Sequence, residues 1–174
     1  MDTFEAILKR RSIRRYTGKG ITEEQIKRLL ESAMAAPSAN NKQPWEFIVV
    51  QDKDRKDQLS KVHPYTWMCA DAPLVIVVCS DKGNIQWIED CSAATENMLL
   101  AATDMGLGTC WIAARGTRYS GEDDEQKIRD ILGIPKTIGV LCMVSFGYPA
   151  EEKPPRTQYK AEKVYRERYG YSKT

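Results

Sequence analysis

Apolar residues recur at two different spacings along this chain, and the switches between them mark out its elements. Over residues 3–9, Phe4, Ile7 and Leu8 share one helical face. From Thr22 onward, Ile26, Leu29, Leu30, Ala33 and Met34 repeat every three or four positions, and Thr22 with Gln25 form a capping-box pair. Pro37 ends that helix. Residues 45–51 predict a strand and residues 54–62 a helix. Residues 72–79, an unbroken apolar run, predict a strand buried on both faces. A long helix follows over 84–105, with so few charges in its middle that burial is expected, and Gly106 and Gly108 stop it. Residues 109–113 read as a strand. The acids from Glu122 to Glu125 suit a helix start, and Gly133 lies past its stripe of Ile128, Ile131 and Leu132. Residues 137–146 predict another buried strand. The tail from Tyr148 carries Pro149, Pro154 and Pro155, so it should run over a surface, with a short charged helix over 161–169.

Strands and helices alternate without repeats or linkers across 174 residues, which predicts one α/β or α+β domain. A chain of this length buries roughly 70% of its unfolded surface, enough for a core of its own. The tail has no apolar stripe to lay on that core, so a second subunit is its expected seat. No apolar run approaches the ~18 residues of a membrane helix. The first residues hold acids and no apolar stretch of the secretory type. The expectation is a cytoplasmic protein without a membrane partner.

Composition then narrows the chemistry. Five cysteines (Cys69, Cys79, Cys91, Cys110, Cys142) are scattered in apolar context with no C-x-x-C pair, which suits small buried hydrophobes rather than a zinc site or a disulfide framework. The single histidine, His63, stands beside Pro64 and reads as structural, so a histidine triad or a multi-histidine metal site is not expected. Chemistry from a bound group is the natural alternative. The net charge of +2 conceals a polarity. Residues 1–20 hold six cations against two acids and residues 151–174 seven against four, so the stretch between carries five more acids than cations. Two basic ends on an acidic body suggest a local anion site and not a nucleic-acid surface.

Three clusters invite a functional reading. In Arg10-Arg11-Ser12-Ile13-Arg14, guanidinium forks and a hydroxyl suit a phosphate, although a solvated charge run has the same composition. From Pro37 to Pro44, the amides and hydroxyl of Ser38, Asn40, Asn41 and Gln43 match the donor–acceptor edge of a heterocycle, or simply a polar turn. Gly106-Leu107-Gly108 permits a tight turn or a close backbone approach, but it follows a helix and precedes a strand, the reverse of a dinucleotide fingerprint.

Together and in this order, these segments, with Thr109-Cys110-Trp111 and the run from Phe146-Gly147-Tyr148-Pro149 to Lys153-Pro154-Pro155-Arg156, resemble the nitroreductase family over roughly residues 3–160. The resemblance implies an α+β fold, a mixed sheet flanked by helices in an intertwined homodimer with FMN at the interface. All 174 residues then form one domain, with 148–174 a tail packing on the partner subunit. It implies that Arg10, Ser12 and Arg156 hold the FMN phosphate and that Arg11 helps at the phosphate or ribityl chain. Arg14 is placed near flavin N1 and O2. Pro37, Ser38, Ala39, Asn41 and Gln43 are supplied by the partner, and the main chain of Ile112, Ala113 and Ala114 passes the isoalloxazine with an N–H near N5. NADH or NADPH is the implied hydride donor and an electron-poor small molecule, a nitroaromatic or quinone, the acceptor, in ping-pong order. No catalytic side chain and no metal are implied, because the flavin carries the chemistry. Relatives that dehalogenate, oxidise peptide heterocycles or fragment the flavin, and a non-enzymatic flavin-binding module, are the alternatives. Three positions depart from the family pattern: Ala114 stands where glycine is frequent, the segment 115–121 is longer, with Arg115 and Arg118 in it, and residues 65–71 offer the flavin no lysine or asparagine.

Overall fold

The computed structural model describes residues 1–170. Its helices are α1 (Thr3–Lys9), α2 (Glu23–Met34), α3 (Lys53–Leu59), α4 (Trp87–Asp104) and α5 (Asp124–Leu132). Its strands are β1 (Trp45–Val50), β2 (Leu74–Asp81), β3 (Gly108–Ala113) and β4 (Ile138–Gly147). The strands form one sheet in the order β1-β2-β4-β3, paired antiparallel throughout. Parallel pairing enters only as an isolated bridge between Ser12 and Thr109, which is all that the described residues contribute to the mixed character expected of the sheet. None of the described helices is long and apolar enough to cross a membrane.

The central strands are buried on both faces, as the apolar run predicts. Their alternating residues feed two cores. Leu74, Ile76 and Val78 meet α2 and α4 through Leu29 and Met98, in one core with Phe146 of β4. Val75, Val77 and Cys79 belong to the opposite core with Leu59, Met143 and Ile128. Helix α4 is buried along most of its length, from Trp87 to Ala102. The capping box at Thr22 and Gln25 is present with both of its hydrogen bonds. All five cysteines are free and buried, and burial pushes the thiols of Cys69, Cys79 and Cys91 up to about 12, so they are inert as nucleophiles.

One irregularity sets the geometry at the end of β3. The β2–β4 register runs Val78 opposite Cys142 and then Cys79 opposite Val140, so Leu141 is an extra residue in β4. Its carbonyl accepts from the amides of both Ala114 and Arg115, each at 3.2 Å. This bulge bends the chain out of the ladder where β3 ends, and bulges of this kind re-aim the residues beside them.

The expected helix over 161–169 is a correction. Only a single 3-10 turn forms, at Ala161–Lys163, and residues 164–170 are irregular. Every residue from 157 to 170 is exposed, and so short a helix with no core beneath it is marginal in water.

Candidate functional site

The arginine cluster begins where α1 stops. The Arg10 amide still donates to the Ala6 carbonyl at 2.9 Å, and the chain then runs extended along the open edge of β3. The Ile13 amide donates to the Thr109 carbonyl at 2.8 Å. On the other side, residues 148–156 close over the segment: the Thr17 amide donates to the Tyr148 carbonyl, the Ala150 amide to that of Arg15 and the Arg156 amide to that of Leu8. Lys153 Nζ reaches the Ser12 carbonyl at 2.6 Å. Glu151 accepts from the amides of Arg14, at 2.5 Å, and Arg15, and this bonding holds its carboxyl below the usual carboxylate range. The basic segment at the start of the chain and residues 148–156 are therefore one structure.

An extended backbone sends alternate side chains to opposite sides. Arg14 enters a cavity of about 260 Å³ together with Cys110, Trp111, Ile112 and Ala113 of β3. Arg11 and Ile13 line a different cavity of about 390 Å³, with Lys9, Lys153, Gly106 and Gly108. The Arg11 guanidinium donates to the Pro154 carbonyl, and its Nε is buried with no partner among the described residues. Arg10 pairs with Glu96 of α4 at 3.3 Å, and burial raises the Glu96 carboxyl. The Ser12 backbone bridges to Thr109. The Arg156 side chain bonds Gln158 at 2.9 Å.

The end of β3 has its own logic. In an antiparallel ladder every second residue turns its N–H and C=O toward the partner strand. The Ala114 amide donates to Leu141, so Ile112 and Ala114 face β4, and Ala113 between them turns its amide to the open edge. Of the three main-chain positions the sequence singled out, Ala113 alone has an amide free of the ladder. Its neighbour across the cavity is Arg14.

The loop 37–44 lines neither arginine cavity within one protomer. It is nonetheless built. Ser38 Oγ accepts from the Gln43 amide at 2.9 Å, Gln43 Nε2 donates to Asn41 Oδ1, and the Ala39 amide donates to the buried Asp90 carboxylate. Asn40, Asn41 and Gln43 carry φ of 52°, 53° and 49°, left-handed values that cost non-glycine residues energy and gather at binding loops. Pro37, with Asn40, Asn41 and Gln43, is exposed.

Sequence reasoning missed the aromatic side of the Arg14 cavity, formed by His63, Tyr65, Trp67 and Tyr119. His63 is only 5% exposed. Its Nδ1 accepts the Tyr65 amide at 3.1 Å, which leaves the proton on Nε2, 3.4 Å from the Ala113 carbonyl. Tyr119 comes from the long 115–121 segment, whose signal in the sequence was its length. Its amide is held by Asp124, a fully buried carboxylate. Arg115 and Arg118 of that segment do not line the cavity.

Burial lowers the His63 pKa below its ordinary 6.5. The unfolded chain therefore binds more protons than the folded one below about pH 6.5, and stability falls with pH until the folded value is passed. We expect urea midpoints of the native chain to drop further between pH 7.5 and 5.5 than those of His63→Gln. Equal drops would show that His63 does not titrate with folding.

Comparison with known proteins points the same way. The model of the nitroreductase family matches residues 7–64 and 63–148. A protein of Methanothermobacter thermautotrophicus provisionally named NADH dehydrogenase/NAD(P)H nitroreductase is 38% identical over 97% of this chain and 88% of its own length. The FMN reductase [NAD(P)H] of Bacillus subtilis is 30% identical over 92% of this chain and 72% of its own. Among solved structures, the FMN-dependent nitroreductase of Clostridium difficile superposes with a TM-score of 0.91 at 35% identity, over 95% of this chain and 99% of that one.

Proposed function

Because the chain belongs to the nitroreductase family, we propose that it is an FMN-dependent NAD(P)H oxidoreductase whose acceptor is an electron-poor aromatic, a nitroarene or a quinone. The observation that carries this reading is the pairing of Arg14 with the open edge of β3 around one cavity. A fixed guanidinium suits the pyrimidine edge of a flavin and a free amide N–H its central ring at N5, and the residues present fit the group. When bound, FMN supplies hydride transfer at its N5. The chain supplies binding and field. Arg14 stabilises negative charge at the N1–O2 side. The Ala113 amide orients the reactive edge. Arg10, Ser12 and Arg156 hold the phosphate end, and Arg11, on the other side of the chain, supports that segment through the Pro154 carbonyl.

The active assembly in this reading is a homodimer. Pro37, Ser38, Ala39, Asn41 and Gln43 reach the flavin from the partner. The built but uncommitted loop 37–44 and the exposed Phe4 and Ile7 of α1, at 71% and 47%, support that assignment. Residues 157–170, exposed in one protomer, have their seat on the second. The test is an anaerobic spectral titration of the purified, yellow protein with NADH and with NADPH. Bleaching of the flavin band, followed by return of colour on adding a nitroarene or quinone, is the expected result. A chain that takes up no FMN, or FMN that neither nucleotide bleaches, overturns it.

A further inference from the structure

The outward carbonyl of Ala113 is met by a side chain that the flavin reading leaves unused. We propose that His63 is a positioning residue, clamping the open end of β3 through the Ala113 carbonyl so that the Ala113 amide keeps a fixed aim into the Arg14 cavity. This rests on FMN lying along that edge.

The need for a clamp follows from the sheet. β3 is an edge strand. Its first half is covered by the Ser12–Ile13 segment, bound at Thr109. Beyond that point the edge has no strand beside it among the described residues, and the Leu141 bulge bends the chain away immediately after Ala113. Unpaired edges next to a bulge are where a ladder loosens. A reactive group aligned by one amide of that edge would inherit the looseness. Misplacement by an ångström at such a contact is costly in rate.

His63 is built to prevent it. The Tyr65 amide bonds Nδ1 and so fixes the tautomer, leaving Nε2–H as the donor that faces Ala113. The ring is pinned by Tyr119, whose centroid lies 4.8 Å away at 45°, and by Tyr65 at 6.1 Å. Tyr65 and Tyr119 meet edge to face at 5.1 Å. Tyr119 is in turn held at its backbone by Asp124 at 3.1 Å. One neutral ring thereby joins the 63–65 segment, the end of β3 and the 115–121 segment. A second cation would be ill placed here, because Arg14 lines the same cavity. The cavity, at about 260 Å³, lies just below the ~300–1,000 Å³ of ordinary ligand sites. His63 forms part of its wall.

The experiment compares wild type, His63→Ala and His63→Gln as FMN-loaded proteins, using sulfite, a small anion that adds to flavins at N5, as the probe. Glutamine is chosen as a rescue, since its amide can accept from Tyr65 and donate to Ala113 at once. Sulfite affinity of the bound FMN is expected to fall about tenfold in His63→Ala, with a midpoint potential lower by about 30 mV, the two-electron equivalent of tenfold. His63→Gln should restore both toward wild type, while FMN content stays the same in all three. Wild-type sulfite affinity in a folded, loaded His63→Ala protein overturns the assignment. So does a folded, loaded His63→Gln protein that behaves like His63→Ala. Should His63→Ala not fold, Tyr119→Leu, which removes the ring packed on the imidazole, is expected to weaken sulfite binding in the same direction, and no change there refutes the clamp. A wild-type chain that takes up no FMN sinks the flavin reading itself, and the assignment with it.

Discussion

Arg14→Ala is expected to lose most of its FMN. The guanidinium is the one cation among the described residues lining the cavity at the open edge of β3. A hydrogen bond to a charged group contributes about 1.5–3 kcal/mol, so the FMN dissociation constant should rise roughly 10- to 150-fold. The FMN that remains should also be harder to reduce, because the positive charge proposed to face N1 and O2 is gone. Arg15→Ala is the matched control. Arg15 is the next residue, exposed like Arg14 but on the opposite side of the extended chain, and it is its backbone that bonds Glu151 and Ala150. Its FMN affinity should stay at the wild-type value in fluorescence titrations. Equal losses in both variants would mean that general positive charge, and not the position of Arg14, attracts the cofactor. An unchanged Arg14→Ala protein would remove that residue from the site.

The contrast between Arg14 and Arg15 also shows what the sequence made legible. Periodicity is a statement about local chemistry, so the capped helix at Thr22, the doubly buried β2 and the buried face of α4 could all be read from one-dimensional pattern. The basic cluster from Arg10 could be read too, but not which of its arginines share a cavity. That depends on the strand it lies against, a contact almost a hundred residues away at Thr109. The same limit hid the Leu141 bulge. Leu141 is one more apolar residue in an apolar run, and only its pairing with β2 and the end of β3 makes it extra. His63 reads as structural from the sequence and is buried and bonded to backbone in the fold, but its partners were hidden for a related reason. As a lone histidine it had no partner in sequence, and its partners are two backbone groups, Tyr65 and Ala113, which sequence chemistry does not display. The left-handed Asn40, Asn41 and Gln43 fall between. Asparagine tolerates that conformation and so hints at it, whereas Gln43 at 49° carries no such hint. The failed helix at 161–169 is the opposite case. Local charge pattern supported it, and the missing core beneath it decided against it.

Gly108→Ala should damage both the fold and the cofactor site through one contact. A Cβ at this position would stand 2.7 Å from Ile13 Cγ2 and 2.8 Å from Ile13 Cβ. Rotation of the Ile13 side chain moves the first atom but not the second, so the backbone of the arginine segment must retreat from β3. Ile13 is 8% exposed and has little room to do so. Overpacking of this kind costs about 1–3 kcal/mol, which for a domain of this size lowers Tm by roughly 2–12 °C. The retreat also strains the Ile13–Thr109 hydrogen bond of 2.8 Å, the contact that holds the neighbouring Arg14 in register with the end of β3. FMN affinity should therefore fall along with stability. Gly106→Ala separates the two effects. Gly106 has φ of +72°, and a Cβ there would have nothing within 4 Å, so alanine strains the turn and destabilises the fold without pushing on Ile13. Adding Ile13→Ala to Gly108→Ala should rescue only in part, because the clash between the two Cβ atoms persists when the branched methyls are removed. The four proteins can be compared by thermal melts and FMN titrations side by side. If Gly106→Ala and Gly108→Ala lose FMN equally at matched stability, the register of the arginine segment on β3 is not what holds Arg14 in the site.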